Sequence, residues 1–315
     1  MSHKSLIHVA VGVLVNDARQ VLVARRHAHS HQGGLWEFPG GKLEANETPE
    51  QGLRREFLEE VGIQIHQAYP LRKISHDYGD KSVLLDVWRI HGFDGEPRGL
   101  EGQPVEWRPV AQLSAPDFPV ANAPIIDVLQ LPEHMAITPA AADWSQVEML
   151  LKSYLRRGIG LIQFRQKQLP GDVYQQWYQR ALKLCGGHAV RLLFNHDSAP
   201  LPETGVAGLH VSARRLQVLE SRPVASGSLF SVSCHNSAEL KRAEQLGADF
   251  VTLSPVLATP KYDHAQVLGW ERFDELRRTV SLPIYALGGM ALDALPVARG
   301  HGADGLAGIR LFVDE

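Results

Sequence analysis

Three glutamates with helical spacing are the residues of this sequence whose chemistry is easiest to interpret. They lie in the stretch 41–63, GKLEANETPEQGLRREFLEEVGI, as Glu56, Glu59 and Glu60. Thr48 followed by Pro49 predicts that a helix begins here, because threonine caps helix N-termini and proline favours the first helical position. The helical pattern covers Pro49–Val61. Offsets of three and four residues place the three carboxylates on one helical face, where they repel one another. A divalent cation that prefers oxygen ligands, such as Mg²⁺ or Mn²⁺, relieves that repulsion.

Two glycines stand before this helix and favour the metal-binding interpretation. Gly40 and Gly41 let the backbone approach a ligand closely, and a free carbonyl of Gly40 adds an oxygen ligand. The simpler alternative is that the glutamates form a solvated acidic helix face, which is the usual origin of such a charge run. Composition alone favours this alternative, so the decision depends on the spacing of the whole segment.

The whole segment has the spacing of a known motif. Its fixed positions are Gly41, Glu47, Arg55, Glu56, Phe57, Glu59, Glu60, Gly62 and Ile63. In this spacing it resembles the Nudix box, although Phe57 stands where an aliphatic residue is more usual. The resemblance implies an α+β Nudix fold, with a mixed sheet between helices, that uses Mg²⁺ to hydrolyse nucleoside diphosphates linked to another moiety. It also implies that an ion pair between Glu47 and Arg55 orients the loop and the helix. The metal ligands that it implies are Gly40, Glu56, Glu59 and Glu60.

Flanking segments extend the resemblance over about residues 6–131, to Nudix hydrolases of the MutT type, the 8-oxo-dGTP diphosphatases. The matching segments are AVGVLV, WEFPGGK, GEPRGLEGQPVEW and DFPVAN. This resemblance implies that Glu106 joins the three glutamates as a metal ligand and catalytic carboxylate, and that Asn122 contacts the O6 edge of a purine. The substrate-binding residues that it implies are Arg26, Phe38, Tyr78 and Asn122. The implied reaction converts 8-oxo-dGTP and water into 8-oxo-dGMP and pyrophosphate, which prevents mutation.

Each of these side chains also has a structural interpretation. Asn122 lies in PVANAP, which is rich in turn residues, and asparagine is common in turns. Glu106 is then an exposed strand residue and Arg26 a surface charge, whereas Phe38 and Tyr78 are ordinary core residues. The recurrence of all five residues in order is what favours the substrate interpretation.

The sequence texture changes at Pro132, after which short apolar runs alternate with helical patterns. Eight apolar strands alternating with helices predict a parallel α/β (β/α)₈ barrel of the TIM type. We therefore predict a Nudix hydrolase domain over 1–132 and a barrel domain over 133–315. The predicted strands lie at 135–138, 160–165, 190–194, 208–211, 229–233, 250–253, 283–287 and 305–307.

The barrel half resembles the thiamine-phosphate synthase/TenI family over about residues 134–312. The matching segments are IQFRQK, GLHVS, SVSCHNSAELKRAEQLGADFVTLSPV, ATPK, LPIYALGGM and GADGLAGI. The resemblance implies a site at the carboxyl ends of the strands for a thiazole phosphate or another phosphate ligand. The residues that it implies for this site are Arg165, Lys167, Asn195, His235, Lys261, Gly289 and Ile309.

Two departures argue against synthase activity. The family places aspartates that hold Mg²⁺ at the positions of His196 and Arg215, and an arginine repels a cation. The barrel is therefore predicted to be a TenI-like thiazole tautomerase or a non-catalytic ligand-binding domain. His235 suits the tautomerase, but it is equally a loop histidine bonded to backbone. In an alternative hypothesis, the Nudix half is a pyrophosphatase of thiamine metabolism and the barrel is its partner tautomerase.

Composition excludes several other classes of protein. The chain has 315 residues, a net charge of −3 and two cysteines. It has no basic stripe for a nucleic-acid polymer, no apolar run long enough to span a membrane, and too few cysteines for a disulfide framework. These features predict a cytoplasmic enzyme that acts on a small nucleotide.

Overall fold

The computed structural model describes residues 6–29, 32–79, 81–199, 201, 205–259 and 267–312. The chain divides into two compact units, which meet in the sequence at Leu131 and Pro132. Each unit has its own hydrophobic core. Within the described ranges, no helix has the length and apolar character needed to cross a membrane.

The N-terminal unit contains two small sheets. The four-stranded sheet has the order β4-β1-β6-β5 and the three-stranded sheet the order β3-β2-β7. Strands β1 and β6 run parallel, whereas the other pairs are antiparallel, so the predicted mixed sheet is confirmed. The elements are β1 Leu6–Leu14, β2 Gln20–Arg25, β3 Trp36–Glu37, β4 Gly40–Lys42, α1 Pro49–Val61, β5 Gln64–Asp77, β6 Ser82–Asp94, β7 Val105–Pro109 and α2 Ala123–Leu129.

Helix α1 begins and ends as its sequence predicts. The Thr48 hydroxyl accepts a hydrogen bond from the Gln51 amide, and the Gln51 side chain accepts one from the Thr48 amide, which forms a capping box. The helix ends at Gly62, whose φ of 71° is a left-handed conformation that glycine adopts readily. Phe57 is buried against Gly12 of β1, where an added Cβ would lie 2.1 Å from its ring. Gly12 therefore makes room for the aromatic side chain within the box.

The two helices of this unit cover different cores. The apolar face of α1 packs against Ala10, Leu14 and Leu22. Helix α2 instead packs, through Ile125 and Ile126, into the core that holds Val11, Val13 and Val23. Because neighbouring strand residues face opposite sides of a sheet, this division decides which side chains face α1.

The C-terminal unit is a closed barrel of eight parallel strands, so the predicted barrel is confirmed. The strands follow one another around the barrel in sequence order, and β15 closes onto β8. The strands are β8 His134–Ile137, β9 Leu161–Arg165, β10 Arg191–Asn195, β11 Gly208–Val211, β12 Leu229–Cys234, β13 Phe250–Leu253, β14 Ile284–Leu287 and β15 Gly305–Gly308. The helices are α3 Trp144–Arg156, α4 Gly171–Cys185, α5 Ala213–Leu216, α6 Ser237–Gln245, α7 Gly269–Arg277 and α8 Leu295–Gly300.

Strand alternation separates two environments in the barrel. Ile162 and Phe164 of β9, like Leu209 and Val211 of β11, pack against the surrounding helices. The alternate residues, such as Gln163 and His210, therefore face the barrel interior. All strands are parallel, so their carboxyl ends meet at one mouth, where sites of such barrels are built.

Candidate active site

Arg55 connects the glutamates of α1 to the loop before the helix. Its guanidinium donates to both carboxylate oxygens of Glu47, at 3.0 Å each, and to the Lys42 carbonyl at 3.0 Å. It also donates to Glu56 Oε1 at 2.8 Å and to Glu59 Oε2 at 3.1 Å. The bonds to Glu47 hold that carboxylate in its charged form and lower its pKa. The Glu47–Arg55 ion pair thus joins loop and helix.

Glu56 and Glu60 lie against the two glycines of β4. An added Cβ on Gly41 would lie 2.1 Å from the Glu56 carboxylate carbon, so this carboxylate occupies the space that a side chain would fill. Glu60 Oε2 accepts a hydrogen bond of 3.1 Å from the Gly40 amide. Only glycine at position 41 leaves room for the Glu56 carboxylate to reach the strand.

The Glu60 carboxylate is largely buried and is surrounded by other negative charges. Burial raises the pKa of Glu60 to about 8, and the negative charges of Glu37, Glu56 and Glu101 add to the rise. Burial also raises the pKa of Glu56, against the opposing effect of Arg55. A bound cation would supply the missing charge, and an all-oxygen donor set suits Mg²⁺ or Mn²⁺.

The glutamates are held by hydrogen bonds rather than gathered into a finished cluster. Across the described ranges, no three His, Cys, Asp or Glu side chains form a complete metal site as they stand. Glu56 and Glu59 point their oxygens to Arg55, and Glu60 points one to the Gly40 amide. The oxygen-only composition and the Glu56 cradle at Gly41 fit a divalent cation.

Glu106 does not lie with the other glutamates. Its neighbours Val105 and Trp107 pack against the core that contains α1, so Glu106 faces the opposite side of the sheet. There its carboxylate accepts a bond of 2.6 Å from Arg108 Nε, and the Arg108 guanidinium lies over the Trp36 ring. The predicted grouping of Glu106 with the α1 glutamates is therefore corrected.

Glu101 is the acid that sequence reasoning missed. Its segment is bound to the end of α1, since the Leu100 amide donates to the Glu60 carbonyl at 2.9 Å and Gln103 Nε2 donates to the same carbonyl at 3.0 Å. The charge of Glu101 raises the pKa of both Glu56 and Glu60. The available signal was its place between Gly99 and Gly102, because glycines often mark a loop shaped to approach a site closely.

The four predicted substrate-binding residues line one cavity of about 280 Å³. Phe38 is buried and stacks on Phe118 with ring centroids 5.3 Å apart. Tyr78 packs edge-on to His76 at the other side. The Arg26 guanidinium forms an ion pair with Glu37. The lining residues include Arg26, Phe38, Gly40, Gly41, Lys42, Tyr78, Lys81 and Asn122, so the cavity reaches the glycines beneath the glutamates.

Asn122 is buried in the wall of this cavity. It precedes α2, yet its side chain makes no capping hydrogen bond to the helix. Its side chain is 8% exposed. Asn122 thus ends a short 3-10 helix, Val120–Asn122, and its side chain lines the cavity instead of capping α2.

In the barrel, the predicted residues gather at the mouth. Arg165 and Asn195 end β9 and β10, and Lys167 follows β9. Asn195 is 2% exposed, and its Oδ1 atom has no hydrogen-bond partner among the described residues. Burial lowers the pKa of interior His210 to about 3, and the charges of Lys167 and Arg165 lower it further. These two cations thus lie close to the interior of the barrel.

His235 and the glycine loops lie at the other strands of the same mouth. His235 Nδ1 is 2.8 Å from the Ser254 carbonyl, so Nδ1 carries the proton and Nε2 is the free base of the neutral ring. Gly289 has a φ of 69°, and a Cβ there would lie 2.7 Å from Leu257. Ile309 follows β15. Lys261 lies outside the described residues.

Known proteins resemble each unit separately. The family described as NUDIX domain matches residues 10–128, and the family described as thiamine monophosphate synthase matches residues 134–312. An 8-oxo-dGTP diphosphatase of Escherichia coli is 41% identical over 124 residues, which cover 39% of this chain and 96% of that protein. A CTP pyrophosphohydrolase of the same organism is 32% identical over 43% of this chain and 96% of its own length.

The barrel resembles a different protein. A putative thiamine-phosphate synthase 2 of Aquifex aeolicus is 28% identical over 59% of this chain and 100% of its own length. The two family matches do not overlap, and together they account for both compact units. The chain thus belongs to the Nudix hydrolases through its N-terminal unit and to the thiamine monophosphate synthase family through its C-terminal unit.

Proposed function

We propose that the N-terminal unit hydrolyses 8-oxo-dGTP to 8-oxo-dGMP and pyrophosphate, and so removes an oxidised precursor from the cytoplasmic nucleotide pool before it enters DNA. The observation that carries this proposal is the single cavity that joins a base-sized pocket to the Gly40–Gly41 strand beneath the glutamates. A nucleotide can then place its base against Phe38 and its phosphates beside the carboxylates. The 8-oxo-dGTP diphosphatase relative supports the same substrate.

The Asn122 amide offers one hydrogen-bond donor and one acceptor to the base. In 8-oxoguanine, O6 is an acceptor and N7 carries a proton, so the two groups of the amide match two adjacent groups of the base. Guanine has an unprotonated N7, which opposes a second acceptor and leaves one group of the amide unsatisfied. A buried polar group without its partner is costly, and this cost favours the oxidised base.

The residues that would hold Mg²⁺ are Glu56, Glu59, Glu60, Glu101 and the carbonyl of Gly40. Bound divalent cations neutralise phosphate charge and lower the pKa of a bound water. Arg55 would hold the Glu56 and Glu59 carboxylates in position, since its guanidinium donates a hydrogen bond to each. Lys42 and Arg26 add positive charge at the cavity wall, where they can orient the phosphates.

Steady-state hydrolysis of 8-oxo-dGTP, dGTP and CTP by the full chain tests the substrate. We expect kcat/KM for 8-oxo-dGTP to exceed that for dGTP, with Mg²⁺ required and EDTA abolishing turnover. CTP serves as the competing candidate because one relative is a CTP pyrophosphohydrolase. Equal rates for 8-oxo-dGTP and dGTP would contradict the proposal.

We also infer that the barrel is not an active thiamine-phosphate synthase. The positions where the family holds Mg²⁺ carry His196 and Arg215, which cannot replace two carboxylates as ligands. His235 retains a free Nε2 at the mouth, which supports a tautomerase as the competing role. Incubation of the full chain with both synthase substrates should form no thiamine phosphate, and formation of that product would overturn the inference.

The fusion itself supports one alternative, in which the Nudix unit cleaves a pyrophosphate of thiamine metabolism. The Asn122→Ala variant separates the two hypotheses. Loss of the Asn122 amide should reduce selection of the oxidised purine. Hydrolysis of a thiamine-type diphosphate should be unchanged, because that substrate lacks the O6 and N7 groups that the amide would contact. Hydrolysis of thiamine diphosphate faster than 8-oxo-dGTP by the unaltered chain would favour the alternative.

A further inference from the structure

Two guanidinium groups at the barrel mouth have no acidic partner in the part of the chain that the structure describes. Arg165 is half-buried, and among the described residues its guanidinium has neither a hydrogen bond nor an ion pair. Arg215 is also half-buried, and its Nη1 donates to the His196 carbonyl at 2.9 Å, which is a neutral acceptor. Guanidinium groups withdrawn from water without an anion favour the binding of one.

Asp197 is an acid at this mouth, and its contacts among the described residues are with other groups. Asp197 Oδ2 lies 3.7 Å from Lys167 Nζ and 3.8 Å from Arg214 Nη2, and Ser212 donates to its Oδ1 at 3.5 Å. The Asp197 carboxylate is thus shared between Lys167 and Arg214, and it does not pair with Arg165 or Arg215. Among the described residues, the carboxyl ends of β9, β10 and β11 therefore carry more positive than negative charge.

His196 is not available as a metal ligand. Its Nδ1 atom accepts a bond of 2.9 Å from the Ala199 amide, so Nε2 carries the proton and donates to the Leu169 carbonyl at 3.0 Å. Both ring nitrogens are used to hold the loop, and the residue is 5% exposed. With Arg215 bonded to its carbonyl, this position repels a divalent cation rather than binding one.

The interior beneath these cations is shaped to receive part of a ligand. Asn195 Oδ1 is buried and lacks a partner in the described ranges, and strand alternation turns this side chain inward. Gln163 Oε1 and Thr252 Oγ1 are likewise buried without partners there. Polar groups left unsatisfied in this way mark space that a ligand or water fills.

We propose that the barrel binds a phosphate-type oxyanion at the carboxyl ends of β9 to β11 without a divalent cation. Arg165, Lys167 and Arg215 supply the positive charge, and the planar guanidinium groups bond to phosphate oxygens directly. Arg215 thereby takes the place that a metal ion would have. This inference concerns the barrel alone and is independent of which nucleotide the N-terminal unit hydrolyses.

Titration of the full chain with inorganic phosphate in EDTA tests the proposal. Binding is followed by the side-chain Nε–Hε resonances of Arg165 and Arg215, which report on the mouth and not on the Nudix unit. We expect saturable binding in EDTA. Arg215→Ala should weaken it about tenfold or more, as expected for a hydrogen-bonded charge that is lost.

Arg214→Ala is the matched control, because Arg214 is adjacent and its side chain is 88% exposed. It should change the affinity by no more than about twofold, since exposed charges contribute little. Arg165→Ala is a second variant whose guanidinium has no partner to lose among the described residues, so it should stay folded and also weaken binding. Circular dichroism melts check the folding of each variant.

Several outcomes would overturn the proposal. Absence of phosphate binding in EDTA, together with binding once Mg²⁺ is added, would show a metal-dependent site. Absence of binding in both conditions would exclude the oxyanion. Equal losses in Arg214→Ala and Arg215→Ala would indicate only general attraction to surface charge.

Discussion

The candidate sites of the two units differ in the sign of the charge that their side chains carry. In the N-terminal unit, Glu56 and Glu60 lie against Gly41 and Gly40 of β4, and burial together with the charge of Glu101 raises the pKa of Glu60. In the barrel, Arg165 and Arg215 stand at the mouth without an acidic partner among the described residues. Under the two proposals, the first region needs a cation before it holds a phosphate, whereas the second already carries the positive charge.

An arginine organises each region, but in different ways. Arg55 donates hydrogen bonds to three glutamates and a backbone carbonyl, so it fixes acids that would otherwise repel one another. Among the described residues, the Arg215 guanidinium bonds only to the His196 carbonyl and keeps its charge available. The contrast suggests that metal-dependent catalysis belongs to one unit and metal-free binding to the other.

Loss of one central carboxylate should have the largest effect. Glu56→Gln should lower kcat for 8-oxo-dGTP about a hundredfold or more, in the range expected when a group that acts in catalysis is removed. The exposed Glu96→Gln variant is the control. Steady-state kinetics at saturating Mg²⁺ measure the effect, and an unchanged kcat would remove Glu56 from the site.

Gly41→Ala should have the next largest effect. The new Cβ would lie 2.1 Å from the Glu56 carboxylate and displace it from the strand. We expect a loss of activity of about ten- to a hundredfold, typical of changes that misplace a metal ligand. Gly300→Ala is the control, because nothing lies within 4 Å of a Cβ there. Full activity in Gly41→Ala would argue against the cradle.

Glu101 and Glu106 lie in the same segment, so substitutions of the two can be compared directly. Glu101→Gln should raise the Mg²⁺ concentration needed for half-maximal activity about tenfold, since it removes a charge beside Glu56 and Glu60. Glu106→Gln should leave this concentration unchanged, because its carboxylate lies across the sheet with Arg108. Activity measured against Mg²⁺ concentration decides between them, and the reverse pattern would restore Glu106 to the cluster.

Asn122→Ala should reduce selectivity more than turnover. The ratio of kcat/KM for 8-oxo-dGTP to that for dGTP should fall about tenfold, as expected from loss of a matched hydrogen-bond pair. Asn16→Ala, whose side chain binds Gln20 and not the cavity, is the control. A ratio that stays constant in Asn122→Ala would mean that another group reads the base.

The last prediction concerns the stability of the barrel and its dependence on pH, not catalysis. Burial holds the folded-state pKa of His210 near 3, below its ordinary value of 6.5. Its contribution to stability is therefore complete above pH 6.5 and is lost as the pH falls towards 3, by at most about 1.4 kcal/mol per pH unit. Urea unfolding at several pH values should show a weaker acid dependence in His210→Gln than in the exposed control His188→Gln. Equal slopes would contradict this.

Prediction from sequence succeeded where the signal was local. Thr48, Pro49 and Gly62 mark the ends of α1 through capping and backbone preferences that act over a few residues. The eight barrel strands were visible as short apolar runs because each is buried on both faces. Strands β3, β4, β5 and β7 had no predicted counterpart. Strands β3 and β4 have only two and three residues, and β5 contains Pro70 and register shifts that interrupt simple alternation.

No local pattern in the sequence shows which acid lies close to a helix that is distant along the chain. Glu101 and Glu106 occur in the same segment with similar flanks, and spacing alone suggested Glu106. The difference arises because the loop of Glu101 hydrogen-bonds to the end of α1, whereas Glu106 lies on a strand whose alternation turns it away.

By itself, the sequence determined the two kinds of domain, the start and end of the glutamate helix, and the residue types at each site. These depend on periodicity, capping and motif spacing, which act along the chain. Only the tertiary structure decided that Arg26, Phe38, Tyr78 and Asn122 share one cavity, that Glu101 accompanies Glu56 and Glu60, and that Arg165 and Arg215 lack acidic partners in the described residues. Such facts depend on strand pairing, the facing of side chains and burial, which arise only when distant segments pack together.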